Sequence, residues 1–179
     1  LGTELTRVGF SLVRRFRSLE RADLEAELVV SLGGSMSVAE VEQHPFLQQE
    51  LAFFSERLAL QRPCLGICLG AQLLAAAAGA QVFPGKNGFE VGVGPVRWTK
   101  PGLEDPVIAG APVRSTAAHW HQDTFSPVPG ATLLASTDRY TQQAFRLGPS
   151  YGFQFHLELT VKAWLEWIDL GAEELVAKG

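Results

Sequence analysis

The sequence predicts an α/β domain, a mostly parallel sheet flanked by helices in its first half that passes into a mainly antiparallel β second half. Three observations carry this. Short apolar runs alternate with helical stripes as far as Gly79; strand, sharp turn and helix follow one another almost without a loop from Cys64 to Ala78; and beyond Val82 short strand candidates are separated by Gly/Pro-rich turns. At 179 residues, 46% of them hydrophobic and 19% charged, the chain has the size and composition of one packed domain, and residues 1–179 are read as one.

The elements follow in order. Leu5 and Val8 lie at helical spacing within residues 3–9, and the apolar stretches 12–16 and 28–32 read as strands. In the first of these, Arg14, Arg15 and Arg17 alternate with apolar neighbours and decorate a strand's solvated end. An α/β domain ordinarily opens on a central strand, so the chain is expected to lack an amino-terminal first strand. Residues 28–32 end in Gly33-Gly34, and Ser37 and Glu40 have capping-box spacing. Within residues 45–60, Leu47, Leu51, Phe54 and Leu58 form one apolar helical stripe. Residues 64–67 are a short buried strand, and the alanine-rich stretch 70–78 is a strong helix former with Gly79 as its cap. Strand candidates follow at 91–98, 131–136, 142–147 and 151–155. A last helix from Thr160 carries Val161, Trp164, Leu165 and Ile168 at helical spacing.

Composition excludes several classes. The net charge is −4 and no Lys/Arg run is long enough to track phosphates, which argues against nucleic acid as a partner. The longest apolar run, 69–80, is interrupted by Gln72 and Gly79 and is too short to span a bilayer, so no membrane association is expected. Glu4 and Arg7 interrupt any leader-like apolar core at the start. Two cysteines only four positions apart, Cys64 and Cys68, argue against a structural disulfide and point to a reducing, cytoplasmic setting.

The chemistry centres on Gly66-Ile67-Cys68-Leu69-Gly70, a glycine-flanked nucleophile between a strand and a helix. In such an elbow the nucleophile is strained and the positions two before and two after it crowd their neighbours, so glycine is needed there. A helix amino terminus favours the thiolate, the reactive form of cysteine. Downstream, the aromatic strand Tyr151-Gly152-Phe153-Gln154-Phe155 runs into His156-Leu157-Glu158. Residues two apart in an extended segment share a face, so Glu158 can orient the His156 imidazole while its other nitrogen faces the thiolate. Acyl transfer also needs two N–H donors for the developing oxyanion; Leu69 supplies one, and the Gly33-Gly34 turn is a candidate for the other.

At this point the motifs resemble a known family. PCLGICLGAQ, LGGSMSV, WHQDTF, AFR and GFQFHLE stand in the order found in class I glutamine amidotransferases, especially stand-alone members similar to the glutaminase domain of GMP synthase. The resemblance implies their flavodoxin-like fold and glutamine-hydrolysing activity without a cofactor. It makes Cys68 the nucleophile, His156 the general base and acid, and Glu158 the orienting carboxylate. Gly34 and Leu69 would form the oxyanion hole, while Gln72, His121, Gln122 and Asp123 would hold the amino-acid end of glutamine. Leu157 and Ser35 replace two prolines of the family pattern, which bears on rate more than on mechanism.

Other groups are weighed beside these. His119 and His121, with His44 or His156, could suggest a metal site, but zinc needs three or four converging ligands, and no metal is expected. Cys64 reads as a packing residue. Gly79 and Gly85-Lys86 do not make a phosphate loop, because the spacing is wrong and Asn87 stands where Ser or Thr should bind magnesium. Three functions stay open: glutamine hydrolysis that supplies ammonia to a synthetase partner chain, hydrolysis of a γ-glutamyl peptide or another small amide, and a catalytically weak interaction module.

Overall fold

The computed structural model of the chain describes residues 1–178. Helix α1 (Gly2–Arg7) opens it. Residues 12–16, expected as a strand, form none. Val13 is 70% and Phe16 83% exposed, so this stretch has no face to bury, and Arg15 turns instead to Glu20 and Asp23, each at 3.0 Å. The 3₁₀ turn Arg21–Glu25 leads to β1 (Val29–Ser31), which runs straight into Gly33-Gly34. The expected capping box is present on a second 3₁₀ turn, Val38–Glu40: the Ser37 hydroxyl accepts the Ala39 N–H at 3.2 Å and the Ser37 N–H donates to Glu40 at 2.7 Å.

Helix α2 (Pro45–Ala59) starts on proline, whose fixed φ suits a first helical turn, and buries Leu47, Phe53 and Phe54. Its stripe packs on α3 (Leu69–Ala77), which follows β2 (Cys64–Ile67) with one residue between them. Leu69, Leu73, Leu74 and Ala75 fill the same core. The second half contains β3 (Val82–Pro84), β4 (Glu90–Trp98), the short helix α4 (Lys100–Glu104), β5 (Arg114–His121), β6 (Asp123–Phe125), β7 (Thr132–Ser136), β8 (Ala144–Leu147) and β9 (Ser150–Phe153). Helices α5 (Val161–Leu170) and α6 (Ala172–Lys178) close it.

Seven strands form one sheet in the order β1-β2-β9-β8-β7-β4-β5, and β3 pairs with β6 separately. The first three are parallel, and each later neighbour is antiparallel to the one before. Thus β1, β2, β9, β7 and β5 all run one way, with only β8 and β4 reversed. Successive side chains on β8 point to opposite faces, Phe145 into the core beneath α2 and α3, Ala144 into a second core with Val96, Leu134, Phe153 and Phe155. The sheet is therefore buried on both sides, as a mixed α/β sheet requires.

Strand β5 was not legible in the sequence. Its buried face carries Ala117, His119 and His121 instead of aliphatic residues, so hydropathy alternation does not reveal it. The final helix is capped by the Thr160 hydroxyl as expected, but its inward face is rotated from the predicted stripe. Val161 and Leu165 are exposed, and Trp164 and Trp167 turn inward because both lie edge-on to Trp120 of β5 at centroid distances of 5.7 and 6.5 Å. Among the described residues, no helix is long and apolar enough to cross a membrane.

Candidate active site

The strands that run in the common direction bring their carboxyl ends to one edge, where the sequence-predicted residues meet. At the end of β2, Cys68 adopts φ +54° and ψ −111° as the residue before α3. A non-glycine residue held there costs about 1–3 kcal/mol and persists only where its surroundings enforce it. They do so here through close contacts on both sides. A Cβ on Gly66 would strike the Gly70 carbonyl, and one on Gly70 would strike the Ser31 carbonyl at the end of β1. The Cys68 N–H is tied to the Phe153 carbonyl of β9 at 2.8 Å. The side chain is 7% exposed, and its Sγ lies 3.7 Å from the Trp120 carbonyl oxygen.

His156 follows β9 and is clamped by β5: its N–H donates to the Ala118 carbonyl at 2.8 Å and its carbonyl accepts from Ala118 at 3.3 Å. Nδ1 contacts Glu158 Oε1 at 2.8 Å, as the i, i+2 spacing predicts, and Trp167 stands edge-on to the ring at a centroid distance of 5.0 Å. Nε2 is buried and has no hydrogen-bond partner of its own among the described residues. Burial opposes charging this imidazole, but the Cys68 sulfur and the Glu158 carboxylate outweigh it and raise the His156 pKa to about 9. The ring thus holds its proton well above neutral pH. Gly33 lies against both groups, since a Cβ there would sit 3.3 Å from Cys68 Cβ and 3.3 Å from His156 Cε1. Only a bare backbone fits beside the pair without displacing it.

A cavity of about 520 Å³ opens on Cys68 and His156, and Gly34, Leu69, Gln72, His121, Gln122 and Asp123 all line it. Glu158 stands behind His156, outside the lining. The N–H of Leu69, as the first residue of α3, has no partner within the helix and is one of the donors such an end leaves unused. Gln72 is held from within, its amide donating to Gln154 Oε1 at 3.1 Å and to the Asp123 carbonyl at 3.3 Å. The Ser37 hydroxyl, besides capping its own turn, donates to Asp123 Oδ2 at 2.6 Å and so joins the Gly33-Gly34 side of the cavity to the 122–123 side.

His121 reaches the cavity, yet both its ring nitrogens are engaged, Nδ1 with the Asp123 carbonyl and Nε2 with Glu90 Oε2, each at 2.9 Å. The grouping with His44 or His156 weighed for a metal does not form. His119 and His121 converge instead with Glu90, their ligand-type atoms within 4.8 Å of one another, and the Glu90–His121 pair is already hydrogen-bonded. Burial depresses the His119 pKa and keeps that ring neutral. Cys64 packs as expected: it is 1% exposed, and burial pushes its thiol pKa up.

Three participants were not anticipated. Glu90 stands one residue before the strand expected at 91–98, where a carboxylate reads as the solvated end of a strand. Trp167 was hidden by the rotated register of α5. Arg57 stood in a helix that read as ordinarily amphipathic, yet it is fully buried, donating to the carbonyls of Leu24 at 2.9 Å, Ala26 at 3.0 Å and Pro63 at 2.6 Å.

Cysteine-dependent acyl transfer needs a thiol with a His–carboxylate pair, and residues of those types stand together here at the carboxyl edge of an α/β sheet. The particular family follows from comparison: residues 4–169 match the family model described as glutamine amidotransferase class-I, and the chain belongs to that family. It is 34% identical over 157 residues to the glutamine amidotransferase-like protein YfeJ of Salmonella typhimurium, covering 84% of this chain and 64% of that protein. The chain thus spans less than two thirds of that relative's length. A glutamine amidotransferase structure from Thermotoga maritima superposes with a TM-score of 0.82 at 38% identity, over 90% of this chain and 69% of the other. The chain is also 36% identical over 109 residues to one subunit of the glutamine-hydrolysing GMP synthase of Methanopyrus kandleri, 58% of this chain and 56% of that relative.

Proposed function

We propose that the chain hydrolyses the γ-amide of glutamine. The Cys68 thiolate attacks the carboxamide carbon, the Gly34 and Leu69 N–H groups receive the developing oxyanion, and His156 passes its proton to the departing ammonia. A glutamyl thioester is left on Cys68. His156, now neutral and oriented by Glu158, takes a proton from water, whose oxygen attacks the thioester, and glutamate leaves. Gln72, His121, Gln122 and Asp123 hold the amino-acid end. The observation that carries this reading is Cys68 at positive φ at the start of α3, beside a His156 bonded to Glu158.

The ammonia goes to an acceptor held by a synthetase partner chain in a reducing, cytoplasmic setting. The likeness to one subunit of a GMP synthase supports that part, as do two free, buried cysteines. A second reading, hydrolysis of γ-glutamyl amides, is favoured by one feature: the cavity is also lined by Phe89, Trp120, Trp167 and Leu170, apolar side chains that glutamine alone does not need. The two proline replacements weigh little for a weak site, because Leu157 is 56% exposed and Ser35 is also exposed.

The test is ammonia release from glutamine by the purified chain, together with labelling by a glutamine-analogue diazoketone. One adduct per chain on Cys68 with turnover of glutamine is the expected result. A preference of about tenfold or more for γ-glutamyl dipeptides would move the assignment to the second reading. Neither adduct nor turnover on either substrate class would sink both.

A further inference from the structure

A buried carboxylate outside the reacting pair has an evident line to the substrate side of the cavity. Glu90 is 8% exposed, and its Oε2 accepts from Gln143 Nε2 at 2.6 Å and meets His121 Nε2 at 2.9 Å. The far nitrogen of the same ring faces the Asp123 carbonyl at 2.9 Å, an acceptor that can only receive a proton. That carbonyl also accepts from Gln72, the residue one helical turn after Cys68, and Gln72 is braced in turn by Gln154. A single chain of contacts thus runs from the first residue of β4 to the helix that carries the nucleophile, and the Asp123 carbonyl lies at its centre. His119 Nδ1 stands 3.8 Å from Glu90, near enough to feel its charge without a direct bond.

We infer that Glu90 is a positioning residue that fixes, through His121, the 122–123 segment against which the amino-acid end of the substrate is held. The inference rests on the glutaminase reading above for its kinetic consequence but not for its structural one. A buried carboxylate is costly unless its partners are complete. Here its retention is explained by what it holds in place. Removing its charge leaves the His121 ring a weaker, neutral acceptor at most, and the ring's hold on the Asp123 carbonyl slackens with it. Nothing in Glu90 touches Cys68 or His156, so the chemical step should be spared and substrate capture should suffer.

The experiment uses Glu90→Gln in the full chain, with Glu90→Leu as a second variant that removes the acceptor altogether. The expected result is a KM for glutamine raised about tenfold with kcat within about threefold of wild type, the split that loss of ground-state binding produces. Hydrogen exchange gives a readout independent of turnover. The Gly85 N–H donates to the Gln122 carbonyl at 2.8 Å and should exchange faster in the variant, while the Cys68 N–H on the Phe153 carbonyl stays protected. An unchanged KM, or a fall in kcat at unchanged KM, overturns the inference. So does one equivalent of transition metal bound to wild-type protein and lost in both variants, which would make Glu90, His119 and His121 a metal site. If wild type proves inert to glutamine, the glutaminase reading fails and Gly85 exchange alone decides this one. Should Glu90→Gln not fold, Glu90→Leu decides it by the same measurements.

Discussion

At the residue scale, the strain at Cys68 and the proton on His156 make separate demands. Cys68→Ala should abolish both turnover and diazoketone labelling while leaving the fold intact, because alanine occupies the same buried space; mass spectrometry and circular dichroism check the two halves. With His156 raised to about 9, the imidazolium that protonates departing ammonia is present below that value and is lost as pH rises through it. The rate should therefore hold across neutral pH and fall on an alkaline limb near 9. Glu158→Gln removes one of the groups that raise the pKa, so the limb should move to lower pH, read from kcat against pH. Gly70→Ala meets the Ser31 carbonyl, a backbone atom that cannot swing aside, and should cost at least about 3 kcal/mol by urea unfolding.

At the scale of elements, what was legible depended on how each one satisfies its burial. The β2–Cys68–α3 elbow declared itself because sterics dictate glycine at 66 and 70, and the His156–Glu158 pair did so because extended backbone puts alternate residues on one face. Strand β5 stayed hidden because the side chains it buries are an alanine and two histidines, and hydropathy does not register the hydrogen bonds that hold His121. The stretch 12–16 misled for the opposite reason: it carries apolar side chains but has no surface to bury them against. Helix α5 had the right period in the wrong register, since aromatic edge contacts with Trp120 outweighed the aliphatic stripe.

At the scale of the molecule, the sheet's direction explains why residues from distant stretches meet. Ser31, Ile67, Phe153 and His121 each end a strand running the same way, and the site lies where those ends converge. The general location was legible from the α/β pattern, and the antiparallel second half from its short, turn-separated strands; the strand order was not, because it depends on partners far apart in sequence. Arg57 is a device of the same scale. It ties the 24–26 turn to α2 and to Pro63 just ahead of β2, and five donors on one planar group cannot be replaced by an ammonium. Arg57→Lys should lose about 3 kcal/mol or more of stability, with carbonyls left unpaired, and a thermal melt would show it without any change in the pH profile of the protein that remains folded.

The clamp between Ala118 and His156 also has a consequence in time. The elbow is completed only by Ser31 well ahead of it and Phe153 far behind it, and the base is seated only when β5 has closed over the segment that follows β9. Loops that long close late, since their entropy has to be lost before the contact returns anything. A nascent or half-refolded chain would thus carry an exposed cysteine without a working pair. In refolding experiments, diazoketone labelling of Cys68 should lag behind recovery of helical signal and appear with the last phase, so that the reactive state and the finished fold arrive together.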